Sequence, residues 1–368
     1  MAQEFEKHKI RLIASYLPQF QPIKENDEWW GKGFTEWTNV GKAKPLFKNH
    51  YQPRVPADLG YYDLRLPEVR LEQAKMARKY GIEGFCYWHY WFGDGKRILE
   101  KTFDEVLQSQ EPDYPFCLAW ANETWSGVWH GLKNQILIEQ KYLGIEDYKR
   151  HFYSVLPAFL DKRYIRITNK PIFMLYRPLD FHDVQTFISL WQDLAQENGL
   201  DGIYFIGQIT NPLNRQAVMD KGFDAVNPVR LTEYLRLKKS KLDRALRRIR
   251  GSLNVHSYED VYPYFTTEED LDHNCIPTII PNWDHSPRSN KRAFIITDSN
   301  PQLFSLHVRE VLKNISSKPD DLKVAFIKSW NEWGEGNYLE PDLVHGLGYL
   351  EALEREVTAI NSKILWRA

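Results

Sequence analysis

Eight apolar runs recur along the 368 residues, each followed by a longer stretch in which polar and apolar residues interleave. This alternation constrains the chain more than any other feature. The runs are Ile10–Tyr16 (IRLIASY), Gly84–Trp91 (GFCYWHYW), Phe116–Asn122 (FCLAWAN), Pro171–Tyr176 (PIFMLY), Ile203–Gln208 (IYFIGQ), Asp224–Asn227, Pro277–Trp283 (PTIIPNW) and Val324–Trp330 (VAFIKSW). They are continuously apolar rather than alternating, as in strands packed inside and covered by helices outside. The interleaved stretches read as helices: Leu64–Tyr80 stopped by Gly81, Ile98–Gln108, Asp147–Leu160, Val184–Asn198 stopped by Gly199, Arg215–Lys221, Gln302–Asn314 and Gly348–Asn361. Eight strand-then-helix units predict an α/β fold with parallel strands and right-handed crossovers, most simply closed into a (β/α)8 TIM barrel. An open doubly wound sheet is the alternative, but no GxGxxG or phosphate loop follows any run. No repeat or linker divides the chain. Residues 1–368 therefore read as one barrel with long aromatic-rich βα loops, one running from Leu17 to about Tyr62 after the first strand, and a basic helical insertion at about 230–274.

Charge and cysteine content remove several function classes. The 48 Lys and Arg nearly cancel the 49 Asp and Glu, so no general positive field exists to hold a nucleic-acid backbone. Cys86, Cys117 and Cys275 are too few and too scattered for a disulfide framework or a metal knuckle. No second ligand stands at metal-binding spacing from His89, so neither metal nor cofactor is expected. The charged start MAQEFEKHK lacks the apolar core of a secretory signal, which predicts a cytoplasmic protein unless a signal has been removed. What is unusual is the aromatic content, 14% of residues, with many rings beside Asn, Glu, Gln and His. That mixture suits sugars, whose C–H faces stack on rings while their hydroxyls need polar partners.

Barrel active sites form at the C-terminal ends of the strands. The successive ends offer Tyr16 and Gln19; His89, Tyr90 and Trp91; Trp120, Asn122 and Glu123; Tyr176; Gln208; Trp283; and Asn331, Trp333 and Tyr338. These, with Trp37 of the first loop, are the candidate substrate contacts. Trp29, Trp30, Glu36 and Trp37 read equally well as a sugar platform or as packing of that loop on the rim. Arg236–Arg250 (RLKKSKLDRALRRIR) also has two readings. One is a helix with a solvated basic face; the other is an amphipathic helix in weak peripheral contact with an anionic membrane, near a lipid-linked glycan.

The sharpest local feature is KSWNEWGEGNYLEP, Lys328–Pro341. The last apolar run leads straight into Glu332 and Glu335, and the glycines around them argue against a regular helix. Glycoside chemistry commonly uses two carboxyl groups with separated pKa values, one protonated to assist the leaving oxygen and one ionised opposite it.

Four motifs in order, YLPQFQPI…WWGKGFTEWTNV (Tyr16–Val40), GFCYWHYWF (Gly84–Phe92), LAWANETW (Leu118–Trp125) and NEWGEG-Y-EP (Asn331–Pro341), resemble the WbsX-like family. That family is associated with surface-polysaccharide biosynthesis and related to glycoside hydrolase family 99, the endo-α-mannosidases and endo-α-mannanases. The resemblance implies a (β/α)8 barrel acting on an oligosaccharide or polysaccharide. In family 99 a Glu-Trp-His-Glu stretch supplies both catalytic carboxylates. Carried over, Glu332 is the base that deprotonates the sugar 2-hydroxyl, which attacks its own anomeric carbon. Glu335 is the acid that protonates the leaving oxygen and then activates water. Gly334 stands where the hydrolases carry His, which puts the mannose-specific contact in doubt. Two other functions stay open: a nucleotide-sugar-dependent glycosyltransferase of lipopolysaccharide biosynthesis, and a non-catalytic glycan-binding barrel.

Overall fold

The computed structural model describes residues 10–127, 136–238 and 252–365. Eight parallel strands wrap around one axis: β1 (Arg11–Tyr16), β2 (Gly84–His89), β3 (Phe116–Trp120), β4 (Lys170–Leu175), β5 (Tyr204–Ile209), β6 (Ala225–Pro228), β7 (Thr278–Ile279) and β8 (Val324–Ile327). Ladders join β7 to β8, β8 to β1, and then each strand to the next as far as β6. The remaining seam, β6 to β7, is closed by a bridge. The Val226 N–H donates to the Asn274 carbonyl at 2.9 Å and the Ile276 N–H to the Val226 carbonyl at 2.9 Å. The Asn227 side chain fastens the same seam, donating to the Ile276 carbonyl and the Thr278 hydroxyl. The barrel predicted from the apolar runs is what forms.

Twelve α-helices accompany the strands among the described residues. The first βα loop carries α1 (Lys24–Trp30) and α2 (Glu36–Lys42), and α3 (Pro67–Lys79) then returns to β2. The outer layer continues with α4 (Lys101–Ser109), α5 (Ile145–Phe159), α6 (Val184–Glu197) and α7 (Arg215–Met219). Between β6 and β7 lie α8 (Glu233–Lys238) and α9 (Tyr258–Val261), and after β7 come α10 (Ser286–Ser289) and α11 (Pro301–Ser316), with α12 (Gly348–Leu365) last. Helix α4 starts later than the expected Ile98 because Leu99 sits at a positive φ of 58°. The expected seventh strand, Pro277–Trp283, shrinks to two residues. Pro281 has no N–H to give a ladder, and the Ile280 N–H turns instead to the His307 ring at 3.1 Å. Most of the basic segment Arg236–Arg250, read as either a solvated basic helix or a membrane-contacting one, lies outside the described residues. No described helix is long and apolar enough to cross a membrane.

The outer core on the α5–α6 side is aromatic. Trp191 of α6 is fully buried, 4.8 Å from the Phe173 ring and 4.4 Å from Phe187, and its indole N–H donates to the Tyr148 carbonyl at 3.0 Å. Replacing it with alanine should cost roughly 3–5 kcal/mol, read from the urea midpoint at unchanged slope.

Candidate active site

A cavity of about 360 Å³ opens at the C-terminal ends of the strands, near the lower end of the range for small-ligand sites. Its wall takes Leu17 and Gln19 after β1, Trp88 and Tyr90 at β2, Glu123 after β3, Tyr176 after β4 and Gln208 on β5. Trp283, His285 and Arg288 follow β7, and Lys328, Glu332 and Glu335 follow β8. Glu36 and Trp30 of the first loop close one side, and Trp125 and Leu231 extend the apolar wall.

The carboxylate loop is a tight hairpin. Asn331–Glu332 pairs antiparallel with Asn337–Tyr338 around a turn of 3₁₀ helix, Trp333–Glu335, which ends at Gly336 with φ 60°. Glu332 and Glu335 enter the cavity. Trp333 faces the opposite way, stacked on Tyr338 at 3.7 Å with its indole N–H on Glu340 at 2.6 Å.

The two carboxyls occupy different environments. Burial would raise the pKa of Glu332, but Lys328 and Arg288 outweigh it and hold the group below its ordinary value. Its Oε2 accepts from Lys328 Nζ at 3.3 Å, Ser329 Oγ at 2.9 Å and Asn337 Nδ2 at 3.1 Å. Glu335 is pushed the other way, to about 7, by burial and by the negative charge of Glu332, against the pull of Arg288 and Lys328. Around it three carboxyls (Glu36, Glu332 and Glu335) face two cations (Arg288 and Lys328), so placing one proton balances the cluster. The His285 ring is 3.8 Å from Glu335 and is held neutral by burial and by Arg288, its pKa lowered to about 4.

Arg288 is aimed by α10. The Asp284 carboxylate accepts from the Ser286 N–H at 3.0 Å and so fixes the start of that helix. The Asp284 N–H also donates to the Glu335 carbonyl at 2.7 Å, which ties the β7 exit to the carboxylate loop. Arg288 then donates from Nη1 to Glu335 Oε1 at 2.6 Å and from Nε to Glu36 Oε1 at 2.9 Å.

Of the candidate carboxyls and substrate contacts read from the sequence, Gln19, Tyr90, Glu123, Tyr176, Gln208, Trp283, Glu332 and Glu335 are brought together on the cavity wall, where Trp30 and Glu36 of the first loop join them. Nine others are not, and each has a partner elsewhere. The Tyr16 hydroxyl donates to Gln73 on α3 at 2.7 Å. Trp37 donates to the Tyr62 carbonyl at 2.8 Å and packs edge-on against that ring. His89 meets His151 of α5 nitrogen to nitrogen at 2.8 Å, and Trp91 stacks on the same His151 ring at 4.7 Å. Burial holds both imidazoles in the neutral form. Trp120 donates to the Trp91 carbonyl at 3.0 Å. Asn122 accepts from the Arg177 N–H at 2.8 Å and donates to the Arg177 carbonyl at 2.9 Å, a brace between two loops. Asn331 clamps the Leu17 backbone in the same two-handed way at 2.7 and 3.0 Å. Trp333 is turned away as above, and the Tyr338 hydroxyl donates to Asp342 at 2.7 Å. The sequence reading missed Arg288, His285, Lys328 and Trp88. Among the described residues no group of three or more His, Cys, Asp and Glu is arranged to hold a metal ion.

The model of a family described as Glycosyltransferase WbsX matches residues 12–353. Two curated relatives from strains of Xanthomonas campestris pv. campestris, each called uncharacterized protein WxcX, are 35% identical over 363 residues, 94% of this chain and 49% of the relative. The chain thus spans about half the length of the curated relatives it matches. Among solved structures, a GH99 endo-alpha-mannosidase of Bacteroides thetaiotaomicron superposes with a TM-score of 0.59 at 13% identity, covering 98% of this chain and 99% of that one. A glycoside hydrolase-like protein gives 0.58 at 17% identity, covering 95% and 94%. Both have this fold.

Proposed function

This chain belongs to the WbsX glycosyltransferase family, and we propose that its barrel cleaves or transfers glycosidic bonds of a surface polysaccharide or oligosaccharide with Glu332 and Glu335 as the working carboxyls. The observation that carries the reading is the split between them: two buried carboxyls in one aromatic-walled cavity, one held ionised and one raised to about 7. Glu335 then donates its proton to the leaving oxygen and afterwards takes one from the incoming water or hydroxyl. Glu332, ionised opposite, takes the proton of the neighbouring sugar hydroxyl as that oxygen closes on the anomeric carbon, and returns it when the incoming water or hydroxyl opens the ring so formed. Lys328, Ser329 and Asn337 all bond Oε2 and so fix the orientation of the group. Tyr90, Tyr176, Trp88 and Trp283 supply ring faces and edges for the sugar.

The family's description favours a second reading, transfer from a nucleotide sugar. The charges in the cup oppose it, since a pyrophosphate would meet three carboxyls and two cations that are already paired. The readings separate in two assays. Incubation with bacterial surface polysaccharides should release new reducing ends or longer transfer products. UDP- and GDP-sugars with a divalent metal should leave the melting temperature unchanged. A clear stabilisation by a nucleotide sugar, with no product from glycan alone, would overturn the first reading.

A further inference from the structure

We propose that Glu36, carried in by the first βα loop, is a positioning residue of this site, holding Arg288 between itself and Glu335 and thereby governing the proton on Glu335. Its importance for turnover rests on the carboxylate reading above; its geometry does not.

Three observations meet at Glu36. Its side chain is 1% exposed, although an isolated buried carboxylate is costly, so the fold is built to keep it there. The Glu36 N–H donates to the Gln19 carbonyl at 2.9 Å, which fixes the start of α2 beside the end of β1. The Asn39 amide lies 3.4 Å from both carboxylate oxygens. The second observation is the shared guanidinium, 2.9 Å from Glu36 and 2.6 Å from Glu335. The third is residue 334. A Cβ built on Gly334 would stand 1.6 Å from Glu36 Oε1 and 2.8 Å from its Cδ. The gap in the carboxylate loop is therefore filled by a side chain from the opposite end of the chain, and Gly334 and Glu36 are one device.

The electrostatic consequence follows. One guanidinium serves two carboxylates, so neither receives the whole of its charge. Glu335 also faces Glu332 and Lys328, His285 beside Arg288, and the Tyr176 phenol just after β4, while the Tyr90 phenol just after β2 faces Glu332 and Glu36. Lys42 of α2 is attracted by Glu36 and repelled by Arg288. With the Glu36 charge removed, Arg288 belongs to Glu335 alone and a nearby negative charge is gone. Both changes favour the ionised form.

The test needs no substrate. In protein labelled with ¹³C at the glutamate carboxyls, the Glu335 signal is the one lost in Glu335→Gln. Its titration midpoint should fall in Glu36→Gln by a part of the roughly 1–3 pH units that a whole arginine charge shifts a carboxyl, since Arg288 already bonds Glu335 in the wild type. Glu36→Asp keeps the charge and should stay near the wild-type midpoint. A midpoint unmoved in Glu36→Gln would overturn the proposal. Should that variant fail to fold, a melting-temperature cycle decides. Gly334→Ala should lower the melting temperature in the wild type but cost little in a Glu36→Ala background, and an equal cost in both would refute the link. If Glu335→Gln retains full turnover while Glu36→Gln still shifts the midpoint, the catalytic reading falls and this one stands.

Discussion

Glu335→Gln is expected to lower turnover by roughly 10²–10⁴-fold, the usual contribution of a positioned proton donor, while glycan binding persists. The amide has nearly the shape of the protonated acid, so the cavity keeps its form, but it has no proton to give. In the wild type, kcat/KM should decline as pH rises through about 7, because the working form of Glu335 is the protonated one and it is lost above that value. That limb should vanish in the variant. Glu332→Gln should lose a comparable share of turnover for the opposite reason. The carboxylate that Lys328 holds ionised becomes neutral, and no acceptor of the sugar proton remains. Lys328 loses its nearest charge and keeps the more distant Glu335 and the faces of Trp88 and Trp283, 5.5 and 5.7 Å away, so a modest fall in melting temperature should accompany the change. Full turnover in either variant, or an intact alkaline limb in Glu335→Gln, would refute the roles assigned. Loss of both binding and turnover would instead point to a collapsed cup, and the melting curve distinguishes that case.

The barrel was legible because burial on both faces writes a strand as an unbroken apolar run. β1 to β5 carry such runs, and their ladders lie on them to within a residue. β7 was overread because Pro281 interrupts a run that still looks apolar from end to end. The carboxylate hairpin was legible because glycines beside two glutamates at a strand end argue against a regular α-helix. The substrate wall was only half legible, and the reason is parity. Successive residues of a strand point to opposite faces. Trp88 and Tyr90 line the cavity, so His89 and Trp91, alternating with them, point outward into the ring cluster around His151. Ala121 and Glu123 face in, while Trp120 and Asn122 face out; Leu17 faces in, while Tyr16 reaches α3. Counting alternate residues back from a strand end would have divided the candidates correctly. Arg288 and Glu36 offered no such signal. They sit on short loop helices, 252 residues apart, and meet only because the barrel closes.

The second large effect is expected away from the sugar. Asp284→Asn should destabilise the protein by roughly 3 kcal/mol and lower turnover at least tenfold. The carboxylate is fully buried and accepts from His50 Nε2 at 2.8 Å, Gln52 Nε2 at 2.6 Å and the Ser286 N–H at 3.0 Å, with Arg54 at 3.8 Å. An amide in its place brings an NH₂ against donors that need an acceptor. Burial alone would raise the pKa of Asp284, yet these bonds and Arg54 hold it at about 2. Its stabilising effect is therefore present above the ordinary aspartate value of about 4 and is lost as pH falls toward about 2. The stability gap between wild type and variant should be widest near neutrality and should close through that acid window. A gap that stays constant with pH would mean that the charge of Asp284 does no work. The catalytic loss has a separate route. Asp284 anchors the first turn of α10, which aims Arg288, and its N–H holds the Glu335 carbonyl, so loosening it displaces donor and arginine together. Misplacement by an ångström is enough to cost on the order of 10²-fold. Turnover should then fall more than KM rises, since Trp88, Tyr90 and Tyr176 stand on other strands and only Trp283 lies beside Asp284.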